Sequence, residues 1–397
     1  MPRRRDRWGA RAKSIGAWRC LVGAAALSVT LSVAADEIEL DPPSSSGDQQ
    51  NPAVALDSSG GAMVVWQDFR NSGRSVWARR FDSAGQALGS SFSVVDGNGQ
   101  LKGYPGVAAT DTDGFVVVWE RLGGGASPGG IAGRVYDAAG QAVGAQFDIQ
   151  EDTSEVERRP EISKAPDGSF VVTWTARDDS LRARRLDAGG QPVGGELILD
   201  IDSGTALGSS LSHNDSGDFL VVWRRSMTSV GQLFDANGVP LASELDIPGE
   251  ALGTSAPAVA FSGDRFLAVA ITQTPIPFTL SGQFFSAAGL AIGDELIIDA
   301  SVSQAITPAV AAAPGGEFEV LWNQADGNGS GVFRRRVSST GELLGVEARV
   351  NREFLGDQLK QDVKVDAQEL AVDPRLDAQE LARARDPAPE DAGAVAV

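Results

Sequence analysis

His213 is the single histidine of the chain, and it stands beside Ser212 and close to Asp215. A serine–histidine–aspartate triad needs side chains that converge from separate parts of a fold. Neighbours on one tight turn cannot meet that demand, so His213 reads as a turn residue. Cys20 is the single cysteine. One histidine and one N-terminal cysteine leave zinc or copper without the usual ligand set. Calcium needs several oxygens instead. Asp96-Gly97-Asn98-Gly99, Asp111-Thr112-Asp113-Gly114 and Asp326-Gly327-Asn328-Gly329 are fragments of calcium loops, without the full spacing or the closing glutamate. Turn chemistry accounts for all three, and calcium is the one cofactor left open. Gly123-Gly124-Gly125 lacks the lysine and the following helix of a phosphate loop and reads as a loop between strands.

Carboxylates are the chemistry this chain has in abundance. It carries 53 Asp and Glu against 34 Lys and Arg, a net charge of −19. Glycoside hydrolysis needs only two of them. Tryptophans could add sugar-stacking surfaces, but Trp66, Trp119, Trp174, Trp223 and Trp322 each end an apolar run, which points to packing between layers. The sequence nominates no catalytic, metal-binding or cofactor-binding residue.

What must position any site is a repeat. Strand cores at Ala62–Trp66, Phe115–Trp119, Phe170–Trp174, Phe219–Trp223, Phe266–Ala270 and Phe318–Trp322 lie 53, 55, 49, 47 and 52 residues apart. A period near 50 built from short strands indicates a propeller. Each unit opens on a strand of small residues, mostly after proline, as in Pro52–Leu56 and Pro160–Lys164. A Gly- and Asp-rich turn follows, then the apolar run, whose β-branched residues suit a strand buried on both faces. The third strand carries Arg79, Arg134, Arg184, Gln232, Gln283 and Arg335 in one register, expected to pair with nearby carboxylates. A turn with Gly85, Gly140, Gly190, Gly238, Gly289 or Gly341 leads to a fourth strand.

The expected fold is all-β, a six-bladed β-propeller of four-stranded repeats, with seven blades, one incomplete, as the alternative. Glu37–Leu40 and Ala348–Val350 compete for the last outer edge. Unit five stands out, with Ala270 where the other units have tryptophan; Phe278 or Phe285 is expected to refill the space, or the blade to be softer and open to a partner.

Residues 1–34 read as a signal peptide: seven basic residues, then the 13-residue apolar run Leu21–Val33 and the small residues Ser32-Val33-Ala34. That run is short for a membrane span. Its removal leaves a chain of charge −25, without cysteine, and secreted or periplasmic. Such a chain repels nucleic acid and has no integral span. Residues 35–352 form the propeller. Residues 353–397 lack the repeat and read as a disordered or partly helical acidic tail.

Gly114-Phe115-Val116-Val117-Val118-Trp119, followed by Arg134-Val135-Tyr136-Asp137 and Gly140, resembles the propeller-like repeats of exported bacterial proteins of unknown function. The resemblance covers roughly 37–350 and implies a fold and an exported location. The Asp-box of sialidases is a near miss: its aromatic follows the glycine by about three residues, whereas Trp119 lies five after Gly114. Two function classes follow. The first is a non-catalytic binding or structural propeller that meets an extracellular protein or glycan through loops at its channel mouth. The second is a carboxylate-driven glycan-processing enzyme.

Overall fold

The computed structural model describes residues 19–20, 38–39, 49–69, 74–95, 101–122, 129–152, 157–200, 208–250, 255–272, 277–302, 308–325 and 330–350. Most of the signal segment, the tail after residue 350, and the loops holding Gly123, Asp96 and Asp326 lie outside them. Among the described residues no helix is long and apolar enough to cross a membrane.

Six sheets of four antiparallel strands follow one another along the chain, each a simple meander, and together they make the expected six-bladed propeller. The competition for the last edge is resolved. Leu343–Arg349 is the outer strand of blade six, and Ile38–Glu39 pairs instead with Arg19–Cys20.

Turn chemistry sets the hairpins. Asp82, Asp137, Asp187 and Asp235 each accept, through Oδ1, the amide four residues on, at 2.7–2.8 Å. Ser286 and Ser338 do the same with a hydroxyl. The glycine before that amide has positive φ in all six blades, from 75° to 87°.

Packing follows from strand alternation. Phe115, Val117 and Trp119 face blade one, where they meet Met63 and Val65. Val116 and Val118 face blade three and meet Phe170, Val172 and Trp174. The same parity joins three to four, four to five and five to six. All five tryptophans are at most 1% exposed, so they are core and not sugar platforms. On the remaining face of blade one, Ala62, Val64, Trp66 and Phe81 cluster, and among the described residues no side chain of blade six joins them. The matching position of blade six is Glu319, where the other blades carry Met63, Val116, Val171, Leu220 and Leu267. Glu319 is buried and accepts from Arg334 at 3.2 Å. Burial raises its pKa, and Arg334 and Arg336 oppose the rise.

The third-strand arginines reach backbone carbonyls, and Arg184 a carboxylate as well. Arg79 donates to the carbonyl of Gly89, Arg184 to those of Ile149 and Gly194, Arg134 to that of Val94, and Arg335 to that of Ile298. Gln232 and Gln283 reach Ala242 and Ile292 in their own blades. Outer strands are bulged, for example between Val143 and Phe147, and bulges leave carbonyls unpaired. The position therefore needs a long donor. Arginine also spans to the preceding blade, at Val94, Ile149 and Ile298. Arg184 adds a carboxylate contact, to Glu151 at 3.5 Å.

Blade five replaces its missing indole with backbone. Gly249, in the outer strand of blade four, sits at φ 125°, and a Cβ there would lie 2.9 Å from the Cβ of Ala270. Phe285 shares the buried cluster of Ala270 toward blade four, whereas Phe278 packs toward blade six, so of the two only Phe285 lies on the side of the missing indole. Ala270→Trp restores the repeat pattern and is nonetheless expected to destabilise the protein by about 1–3 kcal/mol, as overpacking does. Thermal melts check this; a higher Tm would show that the space is open.

Candidate functional site

The six inner strands enclose a cavity of about 540 Å³. Small side chains make this possible, since bulky ones would collide at the axis. Blades five and six line it with Ala256–Phe261 and Pro308–Ala312, almost wholly apolar. Its polar groups come from the other side: Asn51, Tyr104, Arg159, Glu161, Lys164, His213 and the serines of blades three and four.

The end at which the inner strands begin is unusual in its backbone. Asn51, Tyr104 and Arg159 hold equivalent places before Pro52, Pro105 and Pro160, and all three have positive φ, 50°, 47° and 51°. Each lies within a register shift of its inner strand. Such a conformation costs a non-glycine residue roughly 1–3 kcal/mol and gathers at functional sites. The bulges turn these three side chains to the channel mouth, where the Arg159 guanidinium lies 5.2 Å from the Tyr104 ring centre. Gly208 takes the same place in blade four, at φ 84°.

Beneath the mouth lies a ring that sequence reasoning missed. The residue after each tryptophan position is Gln67, Glu120, Thr175, Arg224, Ile271 and Asn323. All five polar members are buried. Gln67 Oε1 accepts from the Tyr104 amide and from Asn51 Nδ2, both at 3.3 Å. Glu120 Oε2 accepts from the Arg159 amide at 3.2 Å. One blade's second strand thus holds the strained residue of the next blade or its own. Burial raises the pKa of Glu120, opposed by the Arg159 amide and by the charges of Arg74, Arg158 and Arg159. The readable signal was chemical variety at one position of an otherwise regular repeat.

His213 is not a turn residue. It ends the inner strand Ser209–His213, and its Nδ1 lies 3.1 Å from Ser163 Oγ of blade three. Burial pushes its pKa down to about 4. Ser212 instead takes the amide of Phe261, so no triad forms. Of the calcium-like fragments, Asp111-Thr112-Asp113-Gly114 is described. Asp111 pairs with Lys164, and Asp113 accepts from the amide and hydroxyl of Ser58. Its oxygens tie blades together. Among the described residues no three His, Cys, Asp or Glu side chains converge as a metal site. Glu157, pushed up to about 7 mainly by burial, stands outside the cavity lining near Arg182 and Trp174.

No protein-family model and no curated protein matches the chain. Solved structures do. A triple arginine-to-alanine mutant of AofleA from Arthrobotrys oligospora superposes with a TM-score of 0.51 at 13% identity, covering 81% of this chain and 94% of that one. The GH93 α-L-arabinofuranosidase of Fusarium graminearum, in complex with arabinobiose, gives a TM-score of 0.51 at 10% identity, covering 71% and 90%. The Hadza microbial sialidase Hz136 gives 0.47 at 11% identity over 70% of this chain, which spans 63% of that protein. The first two likenesses show a shared fold.

Proposed function

We propose that the protein processes glycans by carboxylate chemistry at the mouth of its central channel. One observation carries the reading: a buried carboxyl of raised pKa, Glu120, is held under a strained rim, beside a cavity lined by a second carboxyl, Glu161. A glycosidase needs one carboxyl that keeps its proton and one that does not. Glu120 serves as proton donor to the glycosidic oxygen when a bound sugar moves the Arg159 side chain aside, since it lies behind that residue. As that C–O bond breaks, Glu161 takes a proton from the water that attacks the sugar carbon. Support comes also from the neighbouring fold named as an α-L-arabinofuranosidase. With residues 1–34 read as an export signal, the glycans are those outside the cytoplasm.

A panel of chromogenic glycosides tests this. Glu120→Gln and Glu161→Gln should each lower turnover by about 10²–10⁴-fold, the usual contribution of a general acid or base. Unchanged turnover in both variants would overturn the assignment. Glu120 is held behind Arg159 rather than on the cavity wall, and this favours a second reading, non-catalytic glycan binding at the same mouth. Binding on a glycan array with no turnover across the panel selects that reading.

A further inference from the structure

Many arginines of this acidic chain are matched to carboxylates or to backbone carbonyls. Arg80 pairs with Asp57, Arg182 with Asp178 and Glu196, Arg225 with Asp200 and Glu244, and Arg334 with Glu319. Among the described residues the guanidinium groups of Arg159 and Arg224 have neither, and Glu120 takes the backbone amide of Arg159 instead.

The two lie at one place. Arg224 follows Trp223, which pairs with Ser209, so it sits on the strand behind Gly208. Gly208 has no side chain, and the Arg159 guanidinium uses the room: its Nη1 is 4.0 Å from where a Gly208 Cβ would stand. Arg224 is 6% exposed, and its Nε and Nη1 have no hydrogen-bond partner. Gln67 and Glu120, at the equivalent positions, are acceptors; Arg224 offers only donors. Burial lowers its pKa, and the charge of Arg159 lowers it further. The Arg159 guanidinium over Gly208, and the unmet buried donors of Arg224 on the strand behind, leave this corner short of an anion.

We propose that this corner of the channel mouth binds the carboxylate of an acidic sugar between Arg159 and Arg224. A planar carboxylate matches the guanidinium fork and can accept from both residues. The Tyr104 ring beside Arg159 offers the sugar an apolar face. The sugar identity rests on the glycan reading above; the anion site does not.

The test watches the arginines themselves. Protein labelled with ¹⁵N at arginine is titrated with glucuronate, acetate and glucose at constant ionic strength. The Nε–H resonances are assigned with Arg159→Gln and Arg224→Met; Arg265, which pairs with Asp264 outside the cavity, is the internal control. Glucuronate should shift the Arg159 and Arg224 signals saturably, about tenfold more tightly than acetate, with glucose and Arg265 silent. Should Arg224→Met not fold, Arg159→Gln alone assigns the pair by difference. Equal affinity for acetate and glucuronate keeps the anion site and removes the sugar from it. Glycan binding on an array with both arginine signals unmoved by glucuronate keeps the glycan reading and overturns the anion site. No response of either arginine to any anion also overturns it.

Discussion

Trp119→Ala should lower the free energy of unfolding by about 3–5 kcal/mol, the usual cost of emptying a large aromatic site. Trp119 is fully buried between blades one and two, against Met63, Val65 and Val117. Its indole nitrogen has no hydrogen-bond partner. The loss is therefore nearly all packing. Trp66 and Trp223 differ, since they donate to Asp68 at 3.2 Å and Asp200 at 2.9 Å. Trp119→Phe, which refills part of the volume, should cost clearly less than Trp119→Ala. Denaturant melts followed by far-UV dichroism decide it. A loss below about 1 kcal/mol would place the residue with ordinary surface sites and reopen the sugar-stacking role.

Asp57→Ala should be as damaging. Its Oδ2 meets Arg80 Nη2 at 3.0 Å, with the two side chains 1% and 8% exposed. Arg80 also lies over the Phe115 ring at 4.4 Å, so the pair sits between blades one and two. Removing one partner of a buried pair leaves the other charge uncompensated, at a cost of about 3–5 kcal/mol. Asp57 has a second duty, because Oδ1 accepts the amides of Ser59 and Gly61 at 3.0 and 2.7 Å. Asp57→Asn separates the two. It keeps the turn bonds and removes the charge, so the part of the loss it reproduces belongs to the ion pair. If Asn is as stable as the parent while Ala is not, the ion pair contributes nothing and the turn carries the effect.

The blades were legible because they repeat cheap local rules. An Asp or Ser that caps a glycine turn, and an apolar run that ends in tryptophan, are visible without any tertiary knowledge. Register and blade number follow from their period. The last edge was not legible, since Glu37–Leu40 and Ala348–Val350 satisfy the same strand pattern and only pairing tells them apart. The third-strand arginines were legible only in part, for a related reason. Their partners are carbonyls freed by bulges, and a bulge is a backbone event with no fixed residue signature. Ala270 is visible as a departure, but the compensating Gly249 lies one blade away and nothing in the repeat marks it. The candidate site was least legible. Tyr104 and Arg159 come together only because their inner strands bulge at the same level, and Arg224 joins them from behind Gly208; their separations in sequence carry no trace of it.

The polar position of blade six has a further meaning for how the circle holds. Five joints between blades are sealed by apolar side chains from consecutive units, so each forms between stretches of chain about one repeat apart. The sixth joint must bring together the two ends of the array, the costliest loop to close. There blade six presents the buried Glu319, whose ion pairs to Arg334 and Arg336 stay within that blade, beside the buried Leu321. A buried carboxylate paired inside its own blade adds little cohesion across the joint to the next one. By shape the molecule is a ring, but by cohesion it is a row of six with a clasp.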